Sequence, residues 1–235
     1  MARADRRSSS ETRGRSTLGY ALVAAAVWLG WETLKVPVVD RAPPAIGLRL
    51  SPGSPSVLQR SAEQELLAEE WDDAAFLADQ SLSRAPFNAR ALRVRGLAAA
   101  RTGSVEQADQ LLTLAGNWSL RDDPAHAWLV EHRLRQGSYA SAFAHADTLA
   151  RRRPDLNDQV FNLFTTAAIQ DARAIQPLVR LLAANPPWRL SYFDALQRRE
   201  DGDALLLSLG VALRDTLLRG SAQEGAARGV VGHGI

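Results

Sequence analysis

Across residues 62–154 the chain repeats itself every thirty-four residues. Trp71, Val105 and Tyr139 share one register, and Ala74, Ala108 and Ala142 share another. Ala78, Leu112 and Ala146 form a third set, Ser81, Ala115 and Leu149 a fourth, and Gly103 and Gly137 keep the same interval. A period of this length is that of a helix–turn–helix unit, and one such unit cannot bury its apolar face alone. Neighbouring units must therefore stack. The spacing predicts an all-α solenoid of helical hairpins, about three to four repeats long.

Helical patterning places the first pair at 57–68 and 72–85, ended by Pro86, and the second at 88–101 and 105–115. The third pair falls at 124–136 and 139–152, closed by Pro154, and a weaker fourth at 155–170 and 172–184. Asn185-Pro186-Pro187 breaks the pattern, a helix reopens over 188–198, and an amphipathic helix follows over 203–219 with Leu205, Leu206, Leu209, Leu213 and Leu217 near helical spacing. Small residues are expected where paired helices cross: Ala74, Ala108 and Ala142 on the second helix, Ala62 and Gly96 on the first, with the bulkier Val130 in the third repeat. The turn needs a residue that tolerates positive φ, supplied by Gly103 and Gly137, with Glu69 in that place in the first repeat. Trp71, Val105 and Tyr139 are expected to cap the gap between helices, so that truncating Trp71 would cost about 3–5 kcal/mol.

The segments Gly103-Ser-Val105-Glu-Gln-Ala108 and Gly137-Ser-Tyr139-Ala-Ser-Ala142, with Pro86 and Pro154 closing their units, resemble the tetratricopeptide repeat family. Leu92 takes the usual large position near the start of the unit, and Leu129 the later aliphatic one in the third repeat. Arg95 and Leu120 depart from the pattern, standing where an aliphatic residue and a proline are usual. The resemblance covers residues 55–186. It implies a concave face lined by the first helix of each hairpin, with groove positions Gln59 and Glu63, then Arg90, Arg93, Leu97 and Arg101, then Ala127, Glu131 and Arg135. Leu97 occupies the place where relatives that hold chaperone tails carry Asn, which argues against that partner.

Ahead of the repeats, residues 1–16 form a basic tail with five arginines against Asp5 and Glu11. From Thr17 to Trp31 there is no charge, and Glu32 and Lys35 extend this stretch to Val36 before Pro37 stops it. Residues 17–36 read as one transmembrane helix with Trp28 and Trp31 near its end, where interfacial aromatics belong. The basic flank stays cytoplasmic under the positive-inside rule, which makes the chain a single-pass inner-membrane protein with a periplasmic repeat domain. A signal peptide cleaved to release a periplasmic or secreted binding module is the rival, although no small-x-small site precedes the charges. Residues 37–55 carry five prolines and read as an extended linker, with Ile46-Gly-Leu48-Arg-Leu50 as a short strand or a segment packed on the first repeat. The repeat domain then spans 56–198, the C-terminal helix 199–219 and a Gly/Ala-rich disordered tail 220–235.

Composition excludes more than it assigns. There is no cysteine, so disulfides, thiolate nucleophiles and Cys-ligated metals are ruled out. The net charge is +2 despite 28 basic residues, all Arg but Lys35, which speaks against a nucleic-acid partner. The sequence has no Walker loop, G-x-S-x-G, H-E-x-x-H or G-x-G-x-x-G. His126 and His132 lie about 240° apart on a helix and present no common metal face. Asp72-Asp73 and Asp122-Asp123 read as acids at helix N-termini. The expectation is a non-enzymatic scaffold without metal or cofactor, binding protein partners of an envelope complex. Arg90, Arg93 and Arg101 are its candidate basic stripe, with Glu131 and Arg135 beside it in the groove. Trp188, Tyr192 and Phe193, at helical spacing after the proline pair, are a candidate aromatic platform for a sugar or peptide. The Pro-Pro-Trp-Arg segment is also similar to one in tetratricopeptide proteins associated with exopolysaccharide assembly, which adds that setting to the expectation.

Overall fold

The computed structural model describes residues 41–231, all helix and turn, with no strand among them. The expected membrane segment at 17–36 lies outside these residues, and no described helix is long and apolar enough to cross a membrane. The chain divides into two compact units, one up to Pro86 and one from Phe87.

In the first unit, α1 (Pro44–Leu50) packs on α2 (Pro55–Leu67), which pairs with α3 (Trp71–Arg84). The expected linker thus contains a helix, and the suggested strand at 46–50 is absent. Pro44 sits in the first turn, where its missing N–H is not needed and its fixed φ already suits a helix. Gly47 is buried against α2, where a Cβ would lie 3.0 Å from Val57 Cγ1. Arg60 Nη1 donates to the Ala42 carbonyl at 2.9 Å, tying down the entry of α1. Val57, Leu58, Ala62, Ala74 and Ala78 form the core of this unit. Gln59, expected in a groove, is buried with them.

The second unit begins with two hairpins, α4 (Ala89–Arg101) with α5 (Val105–Trp118) and α6 (Asp123–Arg135) with α7 (Tyr139–Arg152). Then come α8 (Asn157–Gln170), α9 (Ile175–Ala183), α10 (Arg189–Gln197) and α11 (Gly202–Val231). The register residues Ala108, Leu112, Ala115, Ala142 and Ala146 are buried, as the crossing argument requires. At Gly96 a Cβ would stand 2.7 Å from Leu112 Cγ, so only glycine admits the α4–α5 approach. The helix α11 buries Leu205, Leu209 and Leu213. It runs to Val231, through residues expected to be a disordered tail; their Ala, Gln, Glu and Arg content favours helix over the intervening glycines.

The hairpin turns share one construction. Glu69, Gly103 and Gly137 have φ of 63°, 88° and 68°. At each, the next amide bonds back five residues: Glu70 to the Glu65 carbonyl, Ser104 to Ala99 and Ser138 to Arg133, at 3.0, 2.9 and 2.8 Å. This left-handed closure satisfies helix-end carbonyls that would otherwise be bare. The large residue two positions on behaves differently from the expectation. Each opens the second helix of its hairpin: Trp71 and Tyr139 are half-buried, Tyr139 packing against Phe143 and the core, while Val105 is exposed. Truncating Trp71 therefore costs less than a fully buried aromatic would.

Candidate functional site

A concavity of the second unit lies between α6 and α8, over a floor given by α7. Two adjoining pockets of about 300 and 310 Å³ share Leu134, Gln159 and Leu163. The first is apolar, walled by Ala127, Val130 and Leu134 of α6, Ala146 and Leu149 of α7, and Val160 and Leu163 of α8. The second is more polar, with Asn162, Thr166 and Gln170 of α8 and Tyr139 of α7. These residues meet because successive turns of α8 place 159, 163, 166 and 170 on one stripe.

Electrostatically the groove is quiet. Glu131 is the one ionisable residue of the apolar pocket, and Arg135 pairs with it at 3.2 Å, both well exposed. At the polar end the Tyr139 hydroxyl donates to Asp171 Oδ2 at 2.8 Å. Asp171 also accepts from the Arg173 guanidinium and backbone amide, which together with Tyr139 hold its carboxyl far below the usual carboxylate range. The same hydrogen bond to Asp171 raises the Tyr139 hydroxyl. Gln159, Thr166 and Gln170 make no side-chain hydrogen bond among the described residues, so their donors and acceptors remain available to a ligand. The arrangement suits an uncharged, extended segment with one large apolar side chain.

Of the sequence-predicted groove residues, Ala127 and Glu131 line the groove, and Arg135 reaches it through its pair with Glu131. The α8 wall was not anticipated. Carrying Ala127 and Glu131 forward by thirty-four residues points to Phe161 and Thr165, and both are buried under α10. The lining residues instead lie on the opposite flank of α8, where an apolar or carboxamide side chain every three or four residues was the available signal.

The arginine stripe does not form as expected. Arg90 and Arg101 are exposed on α4, but Arg93 turns to Asp122, with Nη1 at 3.4 Å from Oδ2. Asp122 is buried and caps α6, accepting from the Ala125 amide at 3.2 Å. A buried carboxylate needs a counter-charge, so Arg93 serves the α4–α6 contact instead of an open anion site. The N-terminal reading of Asp122 and Asp123 agrees with this geometry.

The aromatic platform is a correction. Trp188 and Tyr192 are 4% and 0% exposed, with Phe193 half-buried. Trp188 donates its indole N–H to Asp147 Oδ1 at 2.8 Å, and Tyr192 accepts from Thr165 Oγ1 at 3.4 Å. Their rings pack edge-on and tilted against Phe161 and Phe164 at centroid distances of 5.3–6.1 Å. The proline pair turns the chain so that this segment seals the end of the hairpin array, leaving no stacking face for a sugar.

The histidines are brought together in a way their spacing concealed. His126 of α6 and His145 of α7 approach to 3.0 Å between Nδ1 atoms. His132 stacks on Trp128 at 4.5 Å and meets Gln136. Burial lowers the pKa of both members of the first pair, that of His145 to about 4. Among the described residues no group of three or more His, Asp or Glu side chains is arranged to hold a metal ion. Compared with protein-family models, with curated proteins and with solved structures, the chain matches none.

Proposed function

We propose that this chain is a non-enzymatic protein-interaction scaffold whose α6–α8 groove captures an extended, uncharged segment of a partner protein. The groove carries the reading: an apolar pocket of about 300 Å³ continues into the Gln159 and Gln170 carboxamides and the Thr166 hydroxyl, which make no side-chain hydrogen bond among the described residues. The pocket has room for one large side chain, whose burial contributes about 1.5–3 kcal/mol. Gln159 and Gln170 can each pair with both the N–H and the C=O of a bound backbone. The thirty-four-residue register, the left-handed turns and the buried alanines support a tetratricopeptide-like array of about three to four hairpins. The charge-free run after an Arg-rich tail supports an inner-membrane anchor at 17–36 with the helices on the periplasmic side. The setting this implies is an envelope complex, with exopolysaccharide assembly as one such complex.

A photocrosslinking residue in place of Gln159, in intact cells, tests this directly. It should yield an adduct with a discrete protein, while the same residue in place of Leu190, exposed on α10, should not. Leu163→Arg should abolish the adduct without changing helicity. No adduct at 159, or an adduct that survives Leu163→Arg, would end the groove reading.

A further inference from the structure

A second surface of the same unit carries an unusual set of protruding side chains, none of which lines the groove. Phe87 precedes α4 and is 82% exposed; Trp118 ends α5 and Leu120 follows it, at 46% and 62% exposed. The Phe87 and Trp118 rings meet at 5.4 Å. Arg152, at the end of α7, donates to the Leu120 carbonyl at 3.2 Å. These contacts bring three interhelix connections to one edge. Across residues 87–90, 118–123 and 151–155 that edge holds five arginines against three aspartates. Arg152 and Arg153 pair with Asp123, Arg153 also with Asp155, Arg151 with Asp147, and the buried Asp122 with Arg93, which leaves a small excess of positive charge. Arg121, next to Leu120, is exposed and has no ion pair among the described residues.

We propose that this edge rests on the headgroup layer of an anionic bilayer, with Phe87, Trp118 and Leu120 inserted and Arg121 against lipid phosphates. A protein hot spot sits in a pocket that excludes water, whereas here the apolar groups stand exposed at loop tips, with Arg121 next to Leu120 and Arg152 bonded to the Leu120 carbonyl. Trp and Arg together favour the membrane interface, the indole for its amphipathic ring and the guanidinium because its stem lies along apolar surface while its head meets phosphate. The excess of positive charge on the edge complements an anionic surface. The charge-free run at Thr17–Trp31 in the same chain calls for the same partner.

The chain has no cysteine, so one introduced thiol is a unique label. Leu120→Cys, carrying a polarity-sensitive fluorophore in the full-length chain, is compared between phosphatidylcholine vesicles and vesicles containing one-third phosphatidylglycerol. The emission should shift to the blue on the anionic vesicles, while the same label at Leu190→Cys should not shift. Adding Phe87→Ser and Trp118→Ser should remove the shift with helicity retained, and Arg121→Ala should weaken partition about fivefold. Unchanged emission at 120, an equal shift at 190, or a shift that follows protein concentration without lipid would overturn the proposal. The last outcome would identify a second copy of the chain as the occupant. Because none of these positions lines the groove, failure here leaves the Gln159 crosslinking result to be judged separately.

Discussion

The two flanks of α8 are made of similar residues and end in opposite states. One presents Val160, Leu163 and Ala167 toward α6 and α7 and stays open as a groove. The other presents Phe161, Phe164 and Thr165 and is covered by Trp188 and Tyr192. Apolar character alone does not separate a binding wall from a core wall. What separates them is the segment after Asn185-Pro186-Pro187, which folds back on one flank only. Asn185 at φ 52° makes that reversal, as Glu69, Gly103 and Gly137 do in the hairpins.

The largest expected effect comes from breaking the sealed flank. Tyr192 is fully buried, so Tyr192→Ala should destabilise the protein by about 3–5 kcal/mol, through lost aromatic burial and the cavity left beside Phe161 and Phe164. Leu163→Ala, on the open flank of the same helix, should cost only about 1 kcal/mol, since that side chain already meets solvent. Urea unfolding of the two variants measures the difference. Equal costs would mean that the two flanks are packed alike and that α6 and α8 do not bound an open groove.

The same contrast explains what could be read from the chain. The hairpins were legible because their rules are local: a small residue at each crossing, a left-handed residue at each turn, a proline after each unit. Even Glu69 was recognised at a position that favours glycine, because the register required a turn there. The α8 wall was not legible, since the register points to Phe161 and Thr165, and nothing local says that α10 will cover them. Trp188 and Tyr192 were misread for a related reason. An aromatic stripe has the same spacing whether it faces water or a core, and only the reversal at Asn185 decides. Arg93 shows the limit for charges, because its partner Asp122 is twenty-nine residues away.

A smaller effect should come from α6, whose flank toward α7 is also closed. His126 is buried there, its Nε2 has no hydrogen-bond partner, and its Nδ1 faces that of His145. Burial keeps both rings neutral near pH 7, against the weaker pull of the Ser119 backbone, Asp122 and Asp123 on His126 and of Asp109 on His145, while Arg152 opposes protonation of His126, and His126 and Arg133 that of His145. The folded pKa values lie below the unfolded value of 6.5, so the unfolded chain binds protons first as pH falls. Stability should be level above pH 6.5 and decline from there toward pH 4. A loss of about 1–2 kcal/mol is expected across that window, allowing for the partial exposure of His145. Urea midpoints at pH 7.5 and pH 5 should record it, and His126→Gln/His145→Gln should flatten the profile. A flat wild-type profile would show that the pair accepts a proton without cost and is not sealed.

The smallest effect is expected on the open side, at the rim. Glu131 and Arg135 are paired at 3.2 Å with side chains 68% and 61% exposed, so water screens the charges and little freedom is lost when the pair breaks. Glu131→Ala should change stability by less than about 0.5 kcal/mol. Its effect on capture should have a definite sign. An uncharged partner segment loses nothing by removal of the carboxylate, so crosslinking from position 159 should persist, and weaken no further at high salt than in the parent chain. A basic partner would instead lose the Glu131 contact, and an acidic one would gain from the released Arg135. Crosslinking yield from Glu131→Ala at low and high ionic strength therefore separates the three. Only an unchanged yield is consistent with a groove whose apolar pocket and carboxamides, rather than its charges, recognise the partner.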